Sequence, residues 1–368
     1  MKIVMLCDWL PPDFGAVGQY ALQHARALAE QGHEVCLVGL SSQKSWQTVV
    51  SYGEGALTER RIYMPQYDRG ALLRRARWTL AANVQLLWAA RRELQAADEI
   101  QFTGSPPYLL HFIAPFKSAP LKSMLRGRLR YRIADFHPEC LIASMTRVPL
   151  WLRLIERLTW FWRRRVDVME VIAEDQRQRL ISGGIPRSRI ELRRDRSPVR
   201  FDNGWEAAPL PPLLQGRKVV MYSGNWGVAH DHETFAVGMA LFEQEHPALA
   251  GVWLNATGGR ADQAETALRA VGVTVFRSAP CPLEQLQTVL MAADVHLITL
   301  ADAFVGYVLP SKVYACIDSG KPVLFVGSAF SDVHVLCTLG VDVDRYRRAD
   351  VGDAEAVCRG LEEILGLG

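Results

Sequence analysis

The chain has 368 residues, 49% hydrophobic and 22% charged, which excludes a disordered protein and exceeds what one core needs, so two α/β domains are expected. A net charge of +3 and the absence of helix-turn-helix, zinc-finger or RNP-like motifs argue against nucleic acid as a partner. Cys7, Cys36, Cys140, Cys281, Cys316, Cys337 and Cys358 form no C-x-x-C pair and no zinc spacing, which reads as reduced thiols of a cytosolic protein.

The first third alternates strand and helix. KIVMLC (2–7) reads as a buried parallel strand, QYALQHARALAEQG (19–32) as an amphipathic helix, and HEVCLVGL (33–40) as the next strand. ADEIQFTG (97–104) and YRIADF (131–136) are further strand candidates, each ending in a polar or Gly/Pro loop. The first apolar run is too short for a signal peptide, and no stretch is long and charge-free enough to span a bilayer. Residues 193–217 carry little periodicity and two consecutive prolines, which predicts a linker.

Alternation then restarts. Strands are expected at 218–224, 250–258, 273–278, 294–300 and 321–327, and helices at 232–245, 262–272, 283–293, 311–320 and 354–365. The expected organisation is therefore a domain at 1–195, a linker at 196–217, a second domain at 218–345 and a C-terminal helix at 346–368, both domains being Rossmann-like.

Parallel sheets place their chemistry at the C-terminal ends of strands. The second domain has three such loops. YSGNWG (222–227) lets backbone approach a ligand at Gly224, with Asn225 able to donate or accept. NATGGR (255–260) ends in the cation Arg260. VLPSK (308–312) opens a helix whose free amides suit an anion, with Ser311 at the cap. Lys312 follows in the first turn, where the helix dipole disfavours a cation, so an anionic ligand is expected there, with an ordinary surface lysine as the alternative.

"PPDFGAVGQYALQHARALAEQGHEVCLVGL", "FTGSPP", "YRIADFHPE", "YSGNWG" and "PSKVYACIDSGKPVLF", in this order, resemble the family 4 retaining glycosyltransferases, with the flavour of those that build bacterial surface polysaccharides. The resemblance runs from residue 1 to about 330. It implies a GT-B fold, α/β, with two Rossmann-like domains facing a cleft. A nucleotide-sugar would be held mainly by the second domain, a lipid-linked or growing glycan acceptor by the first, and no metal cofactor would be needed. It also implies that the loop of Gly15 and Gly18 (G-x-x-G) turns its amides towards the donor. A tight strand-to-helix turn is the alternative for that loop. The spacing differs from the G-x-G-x-x-G of a nicotinamide site.

Two departures from the family pattern stand out. Where many members carry a pair of donor-contacting glutamates, this chain has Tyr307 and Ala315. Where many carry a cation after the G-N loop, it has Val228, with His230 nearby. Diphosphate charge would then fall to Lys312, the helix amides and Arg260.

ADFHPE (134–139) offers Asp135, His137 and Glu139 at a strand end as candidates for proton transfer or acceptor positioning. DVD (342–344) reads as a solvent-facing loop and not as a metal motif. Three stretches, 74–92, 117–132 and 151–165, combine cations with Trp, Leu or Phe. They suit an anionic membrane surface, and with it a peripheral place on the inner face of the cell membrane. Core packing with a solvated arginine face is the alternative. Two rival functions stay open: a transferase-like binding partner without turnover, and a GT-B-shaped nucleotide-sugar isomerase.

Overall fold

The computed structural model describes residues 1–13, 16–65, 72–117, 125–201, 206–279 and 281–367. The chain divides into two compact units, Met1–Arg194 and Asp195–Gly368.

The first unit runs β1 (Lys2–Trp9), α1 (Ala16–Glu30), β2 (Glu34–Ser41), β3 (Trp46–Tyr52), β4 (Gly55–Tyr63), α2 (Leu72–Ala96), β5 (Glu99–Thr103), α3 (Leu109–Ile113), β6 (Arg128–Ile133), α4 (Glu139–Ala143), α5 (Leu150–Arg163), β7 (Val168–Val171), α6 (Glu174–Ser182) and β8 (Ile190–Leu192). Its eight strands lie in the order β3-β4-β2-β1-β5-β6-β7-β8. All pairs are parallel except β3 against β4. Strands such as VCLVG are apolar throughout because helices cover both faces. On β6, Arg130 and Arg132 are not solvated outliers. Arg130 pairs with Glu99 (2.8 Å) and Glu191, and Arg132 and Arg193 both pair with the buried Glu170.

Gly18 stands in the first turns of α1, where a Cβ would lie 1.8 Å from the Trp9 carbonyl oxygen. Glycine is therefore required for the helix to close on the end of β1. That gives Gly18 a packing role that the ligand reading did not anticipate. Gly15 lies outside the described residues, as does 118–124 of the second basic stretch.

The second unit runs β9 (Lys218–Asn225), α7 (Glu233–Glu245), β10 (Ala250–Thr257), α8 (Ala261–Ala270), β11 (Val275–Ser278), α9 (Leu283–Met291), β12 (Val295–Thr299), α10 (Lys312–Asp318), β13 (Val323–Val326), α11 (Asp332–Gly340), β14 (Tyr346–Ala349) and α12 (Ala354–Leu365). The strand order is β11-β10-β9-β12-β13-β14, parallel throughout. This is the doubly wound order, whose direction reverses between β9 and β12.

Two segments differ from the sequence expectation. The predicted linker at 196–217 packs into the second unit: Val199 and Leu214 are buried with Met221, Trp253 and Leu290, and the Ala208 amide donates to the Thr288 carbonyl. The last stretch is not a helix alone, because β14 completes the sheet before α12 packs on α7.

Replacing Gly18 by Ala is expected to destabilise the chain by about 1–3 kcal/mol, from a Cβ forced against main chain. Urea denaturation of the variant against wild type measures it. An unchanged midpoint would mean that α1 closes on β1 by some other contact.

Candidate functional site

Of the predicted donor residues, Gly224, Asn225, Arg260, Ser311 and Lys312 belong to the second unit, where they end β9 or follow β10 and β12. Gly224 and Asn225 end β9 and pair in register with Ala256 and Thr257 of β10. Gly224 has φ +128°, a conformation that favours glycine, and a Cβ there would lie 3.5 Å from Lys312 Cε. Gly258, at φ +106°, packs so close that its Cβ would meet Asn225 Oδ1 at 2.3 Å. Arg260 then caps α8, its amide donating to the Trp226 carbonyl. Ser311 is exposed at the cap of α10, with no side-chain cap bond.

Lys312 opens α10, and its chemistry decides the character of the site. Its Nζ is buried and makes no hydrogen bond among the described residues. What it has is the face of Tyr222, 3.0 Å to the ring centroid. Trp226 stacks on the same ring at 3.8 Å, so the two must take opposite faces. Burial lowers the Lys312 pKa well below its usual value, because the cation has lost water without gaining a carboxylate.

His230 follows the same loop. Its Nδ1 lies 2.6 Å from the Thr299 carbonyl at the end of β12, so Nδ1–H donates and Nε2 keeps its lone pair. Burial first, then Lys312, depress its pKa to about 3. His230 therefore does not replace the missing cation of the G-N loop; it stays neutral and bridges the two strands at the reversal.

In the first unit, β6 ends at Ile133, earlier than its expected end at residue 136. Phe136 is fully buried, and Gln176 donates to the Ala134 carbonyl (2.7 Å), which pins the loop. Asp135 is exposed and His137 half-buried. Glu139 is different. It begins α4, is 2% exposed, and forms a two-pronged ion pair with the fully buried Arg163, which also donates to the His137 carbonyl (3.0 Å). Both oxygens of the Glu139 carboxylate are engaged by Arg163, so Glu139 serves as a strut for the loop that carries Asp135 and His137.

The sequence reading missed Asp8. It lies near the end of β1, at the reversal between β1 and β5. Its Oδ1 is buried without a hydrogen-bond partner among the described residues, and burial raises its pKa to about 6, against a hydrogen bond from Ser105. An acid at the end of the first strand was the available signal.

Tyr307 follows the short turn after β12, and Ala315 is buried in the apolar cluster of Val199, Leu214 and Met221. Asp342 and Asp344 are exposed in the turn that leads into β14, away from the strand ends that carry the loops. Among the described residues, Glu245, His246 and Glu362 could hold a metal ion, with ligand atoms within 4.8 Å. They lie where α7 ends, before β10 begins, at the opposite end of the strands from the loop that leads to Lys312. All seven cysteines are free.

No protein-family model matches the chain. It is 25% identical over 304 residues to a probable glycosyltransferase, WbjE, of Pseudomonas aeruginosa, covering 77% of this chain and 69% of that protein. Solved structures match it over its whole length. A trehalose-6-phosphate protein from E. coli bound with UDP-2-fluoro glucose is 14% identical with a TM-score of 0.64, covering 100% of this chain and 92% of that one. The fold is GT-B. A trehalose-6-phosphate synthase studied for glycosyl transfer with retention (13% identity, TM-score 0.61, 100% and 92% covered) and WaaG, a glycosyltransferase involved in lipopolysaccharide biosynthesis (14%, 0.57, 99% and 90%), share it. The GT-B architecture expected from the motifs is thus borne out. No helix of the described residues is long and apolar enough to cross a membrane.

Two variants test these assignments. Arg163→Met is expected to cost about 3–5 kcal/mol by leaving Glu139 charged and buried, read by denaturant unfolding. Asp8→Asn tests the raised carboxyl. Below about pH 4 both folded and unfolded Asp8 are protonated, so the two proteins should differ least. As pH rises from about 4 to about 6, unfolded Asp8 ionises while folded Asp8 keeps its proton, so the wild type should lose stability relative to the variant and level off above about 6. Melting curves across pH 3.5 to 8 that stay parallel would contradict this.

Proposed function

We propose that the chain is a glycosyltransferase that moves a sugar from a nucleotide-sugar donor to a lipid-linked or growing glycan acceptor, with retention and without a metal ion, at the inner face of the cell membrane. The likeness to the probable glycosyltransferase WbjE and the shared fold support the reaction class. The neighbour studied for transfer with retention supports the stereochemistry. WaaG, by its place in lipopolysaccharide biosynthesis, supports a glycan acceptor.

One observation carries the donor site: the buried ammonium of Lys312 beneath Gly224, which has no hydrogen-bond partner among the described residues. An isolated cation out of water is costly, and a diphosphate would supply the missing counter-charge. Gly224 leaves room for that approach. Asn225 and Arg260 reach the same ligand from the two neighbouring loops, Ser311 adds a hydroxyl, and the neutral Nε2 of His230 accepts from a sugar or ribose hydroxyl. In the first unit, Asp135 and His137 are the groups accessible enough to position an acceptor or take its proton.

A specific observation favours a second reading. Tyr307 and the buried Ala315 leave the positions of two donor-contacting carboxylates without acids. A transferase-like protein that binds nucleotide-sugar without turnover would tolerate this.

The test is thermal stabilisation by a panel of nucleoside diphosphates and nucleotide-sugars without metal. One base is expected to raise the melting temperature, and Lys312→Met should abolish that rise. The same variant should melt at or above the wild type when no ligand is present, because it removes an uncompensated buried charge. Wild-type-like stabilisation in Lys312→Met would move the diphosphate away from this lysine. Stabilisation without sugar release or transfer, across an acceptor screen, would favour the binding protein.

A further inference from the structure

Helix α5 leaves a complete apolar stripe uncovered. Leu150 is 83% exposed and Leu154 62%, and Trp151, Leu158 and Phe161 are exposed as well. At about 100° per residue these five side chains occupy an arc of roughly 100°. The opposite side carries Leu152, Thr159 and Arg163, all buried. The helix therefore has two faces to satisfy, and the protein satisfies one.

The flank of the stripe is cationic. Arg153, Arg157 and Arg164 fall on one edge of the arc, within roughly 60° of it. Only Glu156 on this helix is acidic, and Arg153 pairs with it (3.1 Å). Arg157 is exposed and makes no ion pair or hydrogen bond among the described residues.

Helix α2 repeats the pattern. Leu80, Val84 and Trp88 are exposed on one side, and Trp88 is 66% exposed. Arg77 and Arg91 bracket that row along the helix, Arg91 lying 4.2 Å over the Trp88 ring. Both helices pack against α3. Asn83 of α2 donates to the Pro107 carbonyl (3.0 Å) at the entry to α3, and His111 of α3 meets Thr159 of α5 (2.9 Å).

We propose that this surface of α2 and α5 is an interfacial docking face for an anionic lipid bilayer, with the apolar rows seated at the headgroup level and the arginines on lipid phosphates. A core-packing role fails for these rows because they are open to solvent. A protein partner with an apolar groove would not call for arginines along the edge of one row and at both ends of the other. Bilayer headgroups supply both chemistries over a wide area, and arginine pairs well with phosphate. The proposal deepens the membrane placement above by naming the face that makes the contact. It is independent of the donor site, since lipid binding alone is read.

The full chain is mixed with vesicles of phosphatidylglycerol and phosphatidylethanolamine, or of phosphatidylcholine alone, and bound protein is measured by flotation. Binding to the anionic vesicles, weakened by salt, is expected. Arg153→Glu with Arg157→Glu, and separately Leu154→Asp with Leu158→Asp, should each weaken partitioning on the order of tenfold or more. Both variants should keep the wild-type melting temperature, and both should keep any shift given by nucleoside diphosphate. A failure of the donor reading would remove that shift from all three proteins and leave vesicle binding intact. The proposal is overturned by no binding to anionic vesicles, by wild-type binding in both variants, or by a dimer that either variant dissociates.

Discussion

Everything proposed for the second unit depends on one contact, the ammonium of Lys312 against the face of Tyr222. A desolvated cation–π contact contributes about 2 kcal/mol. Removing an ammonium from water costs several kcal/mol. The ring therefore offsets part of the cost and leaves a site poised for an anion. Trp226, stacked on the other face of Tyr222 and fully buried, fixes the ring that fixes the lysine. The arrangement gives the site its direction: charge is held ready where backbone is thinnest, at Gly224.

The doubly wound sheet explains why these residues meet. Loops after β9 and β12 diverge at the reversal of strand order, and the gap they leave is where α10 begins. His230 spans that gap by its bond to the end of β12. The first unit repeats the order, with a reversal between β1 and β5 and Asp8 at its lip. There the loop after β6 is held from below by the Glu139–Arg163 pair, so that Asp135 and His137 project from a rigid support.

Much of the fold was legible because buried parallel strands and amphipathic helices write their periods plainly. KVVMYSGN and the helix that follows it were readable from apolar runs and turn glycines. The hairpin of β3 and β4 was not. WQTVVSY is an exposed edge strand whose pairing depends on its neighbour, and β8 is only three residues long. The loops proposed to hold the donor were legible as loops after strands, and Lys312 as a cation set against its helix dipole. That its ammonium has no hydrogen-bond partner among the described residues was not legible, since this depends on what every other described segment leaves out. The strut role of Glu139 was hidden for the same reason. Its partner Arg163 lies 24 residues away, and nothing local distinguishes a strut from an acid.

The most direct test of the account is a crystal structure with the nucleoside diphosphate that stabilises the protein. The account predicts a phosphate oxygen within about 3 Å of Lys312 Nζ, drawn to the side of Gly224, with the lysine displaced from or sharing the Tyr222 ring. A diphosphate seated elsewhere, with Lys312 still unpaired on the ring, would contradict it.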